Sequence, residues 1–161
     1  MPAVFVHGVP ETHRIWDALR ARLTRPDSVA LALPGFDAPV LAGFDASKEA
    51  YVDWLIGALE ELGSPVDLVG HDWGSLLVQR VVSIRPDLIR TWAAGSGPVD
   101  VEYVWHDNAQ LMQTPEVGEQ LMAGMSGEGL YLAFVGEMGE TAARALADHV
   151  DDRMKECILA L

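Results

Sequence analysis

The stretch VDLVGHDWGSLLVQR, residues 66–80, decides the fold. Val66, Leu68 and Val69 form a short apolar run with strong strand propensity, predicting a buried strand over Val66–Gly70. From Ser75 onward the period changes: Leu77, Val81 and Ile84 fall on one helical face, and Pro86 stops the helix after Arg85. Between them lies Gly70-His71-Asp72-Trp73-Gly74. A glycine on either side of Asp72 lets the chain turn sharply and lifts the central side chain above the sheet. The positive end of the following helix favours an anion at that position. An aspartate ahead of a helix also fits an ordinary N-cap, and the five residues alone leave both readings open.

On either side of this stretch the pattern repeats. Ala3–His7 (AVFVH) is a β-branched and aromatic run ending at Gly8, and Val29–Leu33 (VALAL) is stopped by Pro34-Gly35. Thr91–Ala94 (TWAA) is closed by Gly95-Ser96-Gly97. Between the strands, Glu11–Leu23 reads as a helix with Ile15, Leu19 and Leu23 four residues apart. Ser47–Leu62 is a stronger one, with a Tyr51, Leu55, Leu59, Leu62 stripe and Gly63 as its stop. Strands alternating with helices predict a three-layer α/β/α fold on a parallel sheet of about four strands. Ligands of such sheets bind beyond the carboxyl ends of the strands. His7-Gly8-Val9-Pro10, Leu33-Pro34-Gly35-Phe36 and His71-Asp72-Trp73 all fall there.

Residues 98–161 change character. Strand-like alternation disappears, helical patches such as Glu116–Met125 and Glu140–Leu161 are separated by glycines, and five of the six methionines lie here. Charge shifts too: 12 acidic and 8 basic residues over 1–97, against 12 acidic and 3 basic over 98–161. We therefore divide the chain into an α/β core over 1–97 and a helical cap over 98–161. The net charge of −13 opposes binding to nucleic acid. No apolar run approaches the ~20 residues of a membrane span. The N-terminus lacks a basic stretch leading into an apolar one. Cys157 stands alone, which excludes internal disulfides and suits a reducing cytoplasm. No histidine–carboxylate spacing makes a metal site, and Gly95-Ser96-Gly97 is too short for a dinucleotide fingerprint, so no cofactor is expected.

The combination HGVPE with Trp16 behind it, then LPGF, then GHDWG, resembles the epoxide hydrolase and haloalkane dehalogenase branch of the α/β-hydrolases. The match covers residues 3–97. By that resemblance Asp72 is the nucleophile and forms an alkyl-enzyme ester with a small apolar organic substrate. A histidine-activated water then attacks the ester carbonyl, with the backbone N–H groups of Val9 and Trp73 holding the oxyanion. A carboxylate suits this chemistry because its alkyl ester can be hydrolysed. Attack on an ordinary ester would give an anhydride instead. Trp73, Tyr103, Trp105 and Tyr131 are the candidate substrate contacts. Haloalkane dehalogenases often carry asparagine where this chain has Val9, which has no side-chain donor, so epoxide opening is favoured over carbon–halogen cleavage.

The family normally supplies its acid and histidine base from strands beyond the cap. His149, in Ala147-Asp148-His149-Val150-Asp151, reads as helix surface rather than as that base. His71 reads as a packed, hydrogen-bonded residue pointing away from Asp72, and His7 as support for the strand end. The alternative to an active hydrolase is a shortened, non-catalytic remnant that binds small apolar ligands or pairs with a second copy through an exposed sheet edge.

Overall fold

A computed structural model describes residues 1–63 and 65–161. Four strands, β1 (Ala3–Val6), β2 (Ser28–Leu31), β3 (Val66–His71) and β4 (Ile89–Gly95), form one sheet in the order β2-β1-β3-β4. Every pairing is parallel, as the alternation of strands and helices predicts. The central strands are buried because helices cover both faces. All four residues of β1 are buried, and so are Val66, Leu68 and Gly70 of β3. β4 is an edge strand with a largely exposed surface, Trp92 being 51% exposed.

The connections explain where the site forms. After β1 the chain runs through a 3-10 turn (His13–Trp16) into the four-residue α1 (Asp17–Arg20). The long helix expected over Glu11–Leu23 is therefore broken. Its apolar stripe has too little to cover, since Leu19 stays 43% exposed, and Thr12 caps the turn by accepting from the Arg14 N–H. α2 (Lys48–Leu62) follows β2 and buries Tyr51, Val52, Leu55 and Leu59; Ser47 caps it through the Ala50 N–H at 3.2 Å. Leu62, the last member of the expected stripe, is at the surface. α3 (Trp73–Ile84) begins directly at the turn after β3 and packs Leu77, Val78 and Val81 inward.

Beyond β4 come α4 (Asp107–Met112), α5 (Val117–Gly124), α6 (Gly127–Met138), α7 (Glu140–Ala147) and α8 (Asp152–Ala160). The helical stretch expected over Glu140–Leu161 is thus two helices. Asp151 starts the second by accepting from the Met154 N–H at 2.7 Å. α8 does more than cover the strand ends. Met154, Cys157 and Ile158 are buried in the same apolar cluster as Leu33, Phe36 and Leu77. The Thr12 hydroxyl donates to the Ala145 carbonyl at 3.1 Å, fixing α7 against the first turn. Among the described residues no helix is long and apolar enough to cross a membrane.

The tightest packing is backbone on backbone. A Cβ at Gly74 would overlap the carbonyl oxygens of Val6 and His7, and one at Gly70 would overlap the carbonyl of Gly74. Strand β1, the turn after β3 and the first turn of α3 are in mutual contact only because those side chains are missing. Gly74→Ala is therefore expected to destabilise by about 3 kcal/mol or fail to fold, since backbone cannot yield as a side chain does. Gly57→Ala, in α2 with open space around it, is expected to stabilise by about 0.5–1 kcal/mol. Urea unfolding of the two variants measures both.

Candidate active site

Asp72 sits between β3 and α3 with φ 52° and ψ −122°, a conformation that costs free energy for any residue with a Cβ. Its backbone is held from both sides: the Asp72 N–H donates to the Gly95 carbonyl at 3.0 Å, and its carbonyl accepts from the Ser75 N–H at 2.9 Å. The side chain makes no capping bond to α3, which removes the N-cap reading. Instead Oδ1 accepts the Val9 N–H at 2.8 Å. Gly8 is required beside it, because a Cβ there would overlap the Asp72 Cβ and Oδ1.

The loop carrying Val9 is shaped by Glu11 and His7. Glu11 is buried, and its Oε2 accepts from the Gly8 N–H at 2.8 Å and meets His71 Nδ1 at 3.0 Å. That carboxylate raises the His71 pKa above the ordinary imidazole value; burial opposes the rise, and the charge of Asp72 adds to it. The expectation that His71 is hydrogen-bonded holds, but its partner is a carboxylate and the ring is only half-buried. Glu11 is visible in the sequence only as the last letter of HGVPE. Its position three residues after Gly8 is the signal, since that spacing folds a side chain back onto an amide.

His7 is fully buried beneath the loop. Its Nε2 accepts the Leu33 N–H at 3.1 Å, which leaves Nδ1 as the protonated nitrogen donating to the Gly8 carbonyl at 2.8 Å. The ring thus joins the β1 and β2 ends as a neutral imidazole. Burial is the main cause of its pKa being lowered to about 4.

Next to Asp72, Val9, Trp73, Trp105, Met112, Ile158 and Leu161 line a mostly apolar cavity of about 70 Å³. The indoles of Trp73 and Trp105 stack at 6.3 Å, and Tyr103 meets Trp105 edge-on at 5.4 Å. Three of the four expected substrate contacts are therefore together. Tyr131 is not among them: it lies on α6 with the Arg144 guanidinium 3.6 Å from its ring centroid. The α6–α7 hairpin occupies it, a pairing across helices that the sequence does not signal. His149 Nδ1 lies 3.1 Å from Asp37 Oδ1, so it too is engaged away from Asp72. Among the described residues no group of three or more histidine, cysteine or acidic side chains is arranged to hold a metal.

A glycine-flanked turn between strand and helix, a lifted carboxylate and a facing amide from the first strand agree with one family, whose model, described as the alpha/beta hydrolase family, matches residues 3–156. The chain belongs to the alpha/beta hydrolase family. Epoxide hydrolase 3 of Siraitia grosvenorii is 37% identical over 98 residues, covering 54% of this chain and 29% of that protein. The (E)-2-((N-methylformamido)methylene)succinate hydrolase of Acinetobacter baylyi is 33% identical over 98 residues, covering 60% of this chain and 37% of the relative. The chain thus spans about a third of the length of these alpha/beta hydrolases. The haloalkane dehalogenase DbeA of Bradyrhizobium elkani superposes with a TM-score of 0.78 at 22% identity, over 99% of this chain and 60% of that one. This last likeness is one of fold.

The buried His7 gives this hydrolase core a pH dependence of definite sign. The unfolded chain takes up a proton on His7 below pH 6.5, whereas the folded one does so only near pH 4. Stability is therefore lost as pH falls through that window, by about 3 kcal/mol. Denaturation midpoints of the native protein and His7→Gln should converge between pH 6.5 and 4. A constant separation would exclude a neutral buried His7.

Proposed function

We propose that the protein is a hydrolase in which Asp72 attacks a saturated carbon of a small apolar substrate, most favourably the ring carbon of an epoxide. The observation that carries this reading is the Asp72 carboxylate itself. It is free of the helix cap, lifted at a strained turn, and bonded at Oδ1 to the Val9 N–H at 2.8 Å. Aligned in this way, one carboxylate oxygen is positioned by a donor while the other remains available for attack. When Oδ2 alkylates, Oδ1 becomes the ester carbonyl oxygen. The Val9 N–H then lies where an oxyanion develops on it, and the adjoining N-terminus of α3 adds positive potential.

The aromatic wall of Trp73, Trp105 and Tyr103 supports an apolar substrate. Tyr103 is the phenol in that wall, which makes it the candidate proton donor to an opening epoxide oxygen. Val9 offers no side-chain donor to a leaving halide, which favours epoxide opening. The cavity volume favours small terminal epoxides over bulky ones.

The test is acid-quenched intact-mass spectrometry after brief exposure to a small terminal epoxide, with styrene oxide as the bulkier comparison. One added epoxide mass, mapping to the peptide that contains Asp72 and missing from Asp72→Asn, is the expected result. Labelling that persists in Asp72→Asn would contradict the proposal.

A further inference from the structure

Core and cap carry charge of the same sign, with 12 acidic and 8 basic residues over 1–97 and 12 acidic and 3 basic over 98–161. Like charges push a seam apart unless counter-charges are placed along it. Apolar packing holds one part of this seam, since Met154, Cys157 and Ile158 of α8 join the core cluster. The α7 side has less to hold it. The Thr12 hydroxyl donates to the Ala145 carbonyl at 3.1 Å, and Ile15 and Trp16 share a cavity of about 210 Å³ with Met138, Ala142 and Leu146.

Between α7 and α8 the cap turns a corner over residues 148–151, and His149 stands on it. Its Nδ1 lies 3.1 Å from Oδ1 of Asp37, in the loop between β2 and α2. The second oxygen of that carboxylate, Oδ2, accepts from Arg14 Nε at 3.0 Å and lies 3.8 Å from His13 Nδ1. Asp37 therefore gives one oxygen to the cations of the first turn and the other to the cap. Its φ of 59° is a conformation in which aspartate and asparagine are enriched. The side chains of His149 and Asp37 are 26% and 23% exposed, so solvent screens this pair less than one at the open surface.

The other charged groups at the corner are acidic. Asp148 and Asp151 flank His149, and Asp151 is occupied by the Met154 N–H at 2.7 Å. The basic residues of the cap are engaged elsewhere: Arg144 with Glu128 and the Tyr131 ring, Arg153 with Glu156, and Lys155 with Asp152. On the core side, His7 is buried and neutral, with both ring nitrogens committed. Among the described residues, His149 is thus the group through which the cap sets a positive charge against Asp37. That charge depends on the solution, because an imidazole takes up its proton between about pH 8 and 5.

We propose that His149 and Asp37 form a proton-operated latch that fastens the α7–α8 corner of the cap to the core, closed when the imidazole is charged and loosened when it is neutral. With a proton from solvent on the ring, Nδ1–H donates to Oδ1 as an ion pair, a bond roughly twice as strong as one between neutral groups. The neutral ring makes a weaker bond through one tautomer and none through the other, in which Nδ1 turns a lone pair towards the carboxylate. The shared negative charge of core and cap then favours separation of the corner, and with it the seam beside α7. The latch lies apart from the Asp72 turn and holds whether or not Asp72 is a nucleophile.

Hydrogen exchange read by mass spectrometry on peptides spanning residues 143–154 tests this, because exchange reports local opening. Rates are corrected for the intrinsic pH dependence of amide exchange and followed from about pH 5.5 to 8.5. In the native chain, protection of the corner should be about 3- to 10-fold higher at the acid end than at the alkaline end, the difference between a charged and a neutral hydrogen bond. In His149→Gln the corner should show the lower protection at every pH. Asp37→Asn keeps a side chain suited to the positive φ and removes the anion, so it should lose the pH dependence from the other partner, and it serves if His149→Gln folds poorly. Each variant is compared with the native chain at the same pH, so the titration of His7, common to all three, cancels.

Three results would overturn the latch. Native protection that stays level across the range is one. A native pH dependence that survives in either variant is the second. The third is a loss of protection in the variants that is as large in the β1 and β3 peptides as at the corner, which would mean general destabilisation rather than local release.

Discussion

Strands β1 and β3 lie side by side, with Val6 opposite Gly70, and both chains leave the sheet at the same edge. That register brings the Val9 amide to the Asp72 carboxylate at 2.8 Å, and the rest of the site follows from it. The approach requires Gly8 against the Asp72 side chain and Gly74 against the carbonyls of Val6 and His7. A side chain at either place would separate the donor from the carboxylate. The strain at Asp72, whose φ is 52°, is sustained by bonds to Gly95 and Ser75 on its own backbone and by the packing of α3 on the sheet.

Two carboxylates flank this contact in contrasting surroundings. Asp72 stands at the turn with one amide, that of Val9, on Oδ1. Glu11 is buried, bonded to the Gly8 amide and to His71, so it is suited to orient. The two histidines on either side divide in the same way. His7 is kept neutral by burial and serves the fold, whereas His71 is kept basic by Glu11 and faces space between core and cap. Chemically similar side chains thus take opposite roles according to what surrounds them.

Much of the fold is legible in the sequence because local and global preferences agree. VDLVG reads as a strand, SLLVQRVVSI as a helix, and the glycines between them as a turn, and each reading survives packing. Glu11–Leu23 fails as one helix because its apolar spacing has no surface to bury, and Glu140–Leu161 because Asp151 starts a new helix inside an unbroken apolar period. Around the candidate site, motif and composition single out Asp72, Val9, Trp73, Tyr103 and Trp105, which the fold brings near one another. Glu11 and Trp16 belong to the HGVPE motif and the residue behind it, but the pairing of Glu11 with His71 cannot be read there, since it is a contact across 60 residues that no local pattern encodes. Tyr131 lies apart from that first group, against Arg144 of the next helix, a contact that the sequence does not signal either.

Whether Asp72 enters the product pathway covalently is decided most directly by a single turnover of an epoxide in H₂¹⁸O with the protein in excess. With Asp72 as nucleophile, the first diol carries no label, because its new oxygen comes from the carboxylate, and ¹⁸O appears in the peptide containing Asp72. Label in the first diol with none in that peptide would mean that water attacks the substrate directly, and would contradict a nucleophilic Asp72.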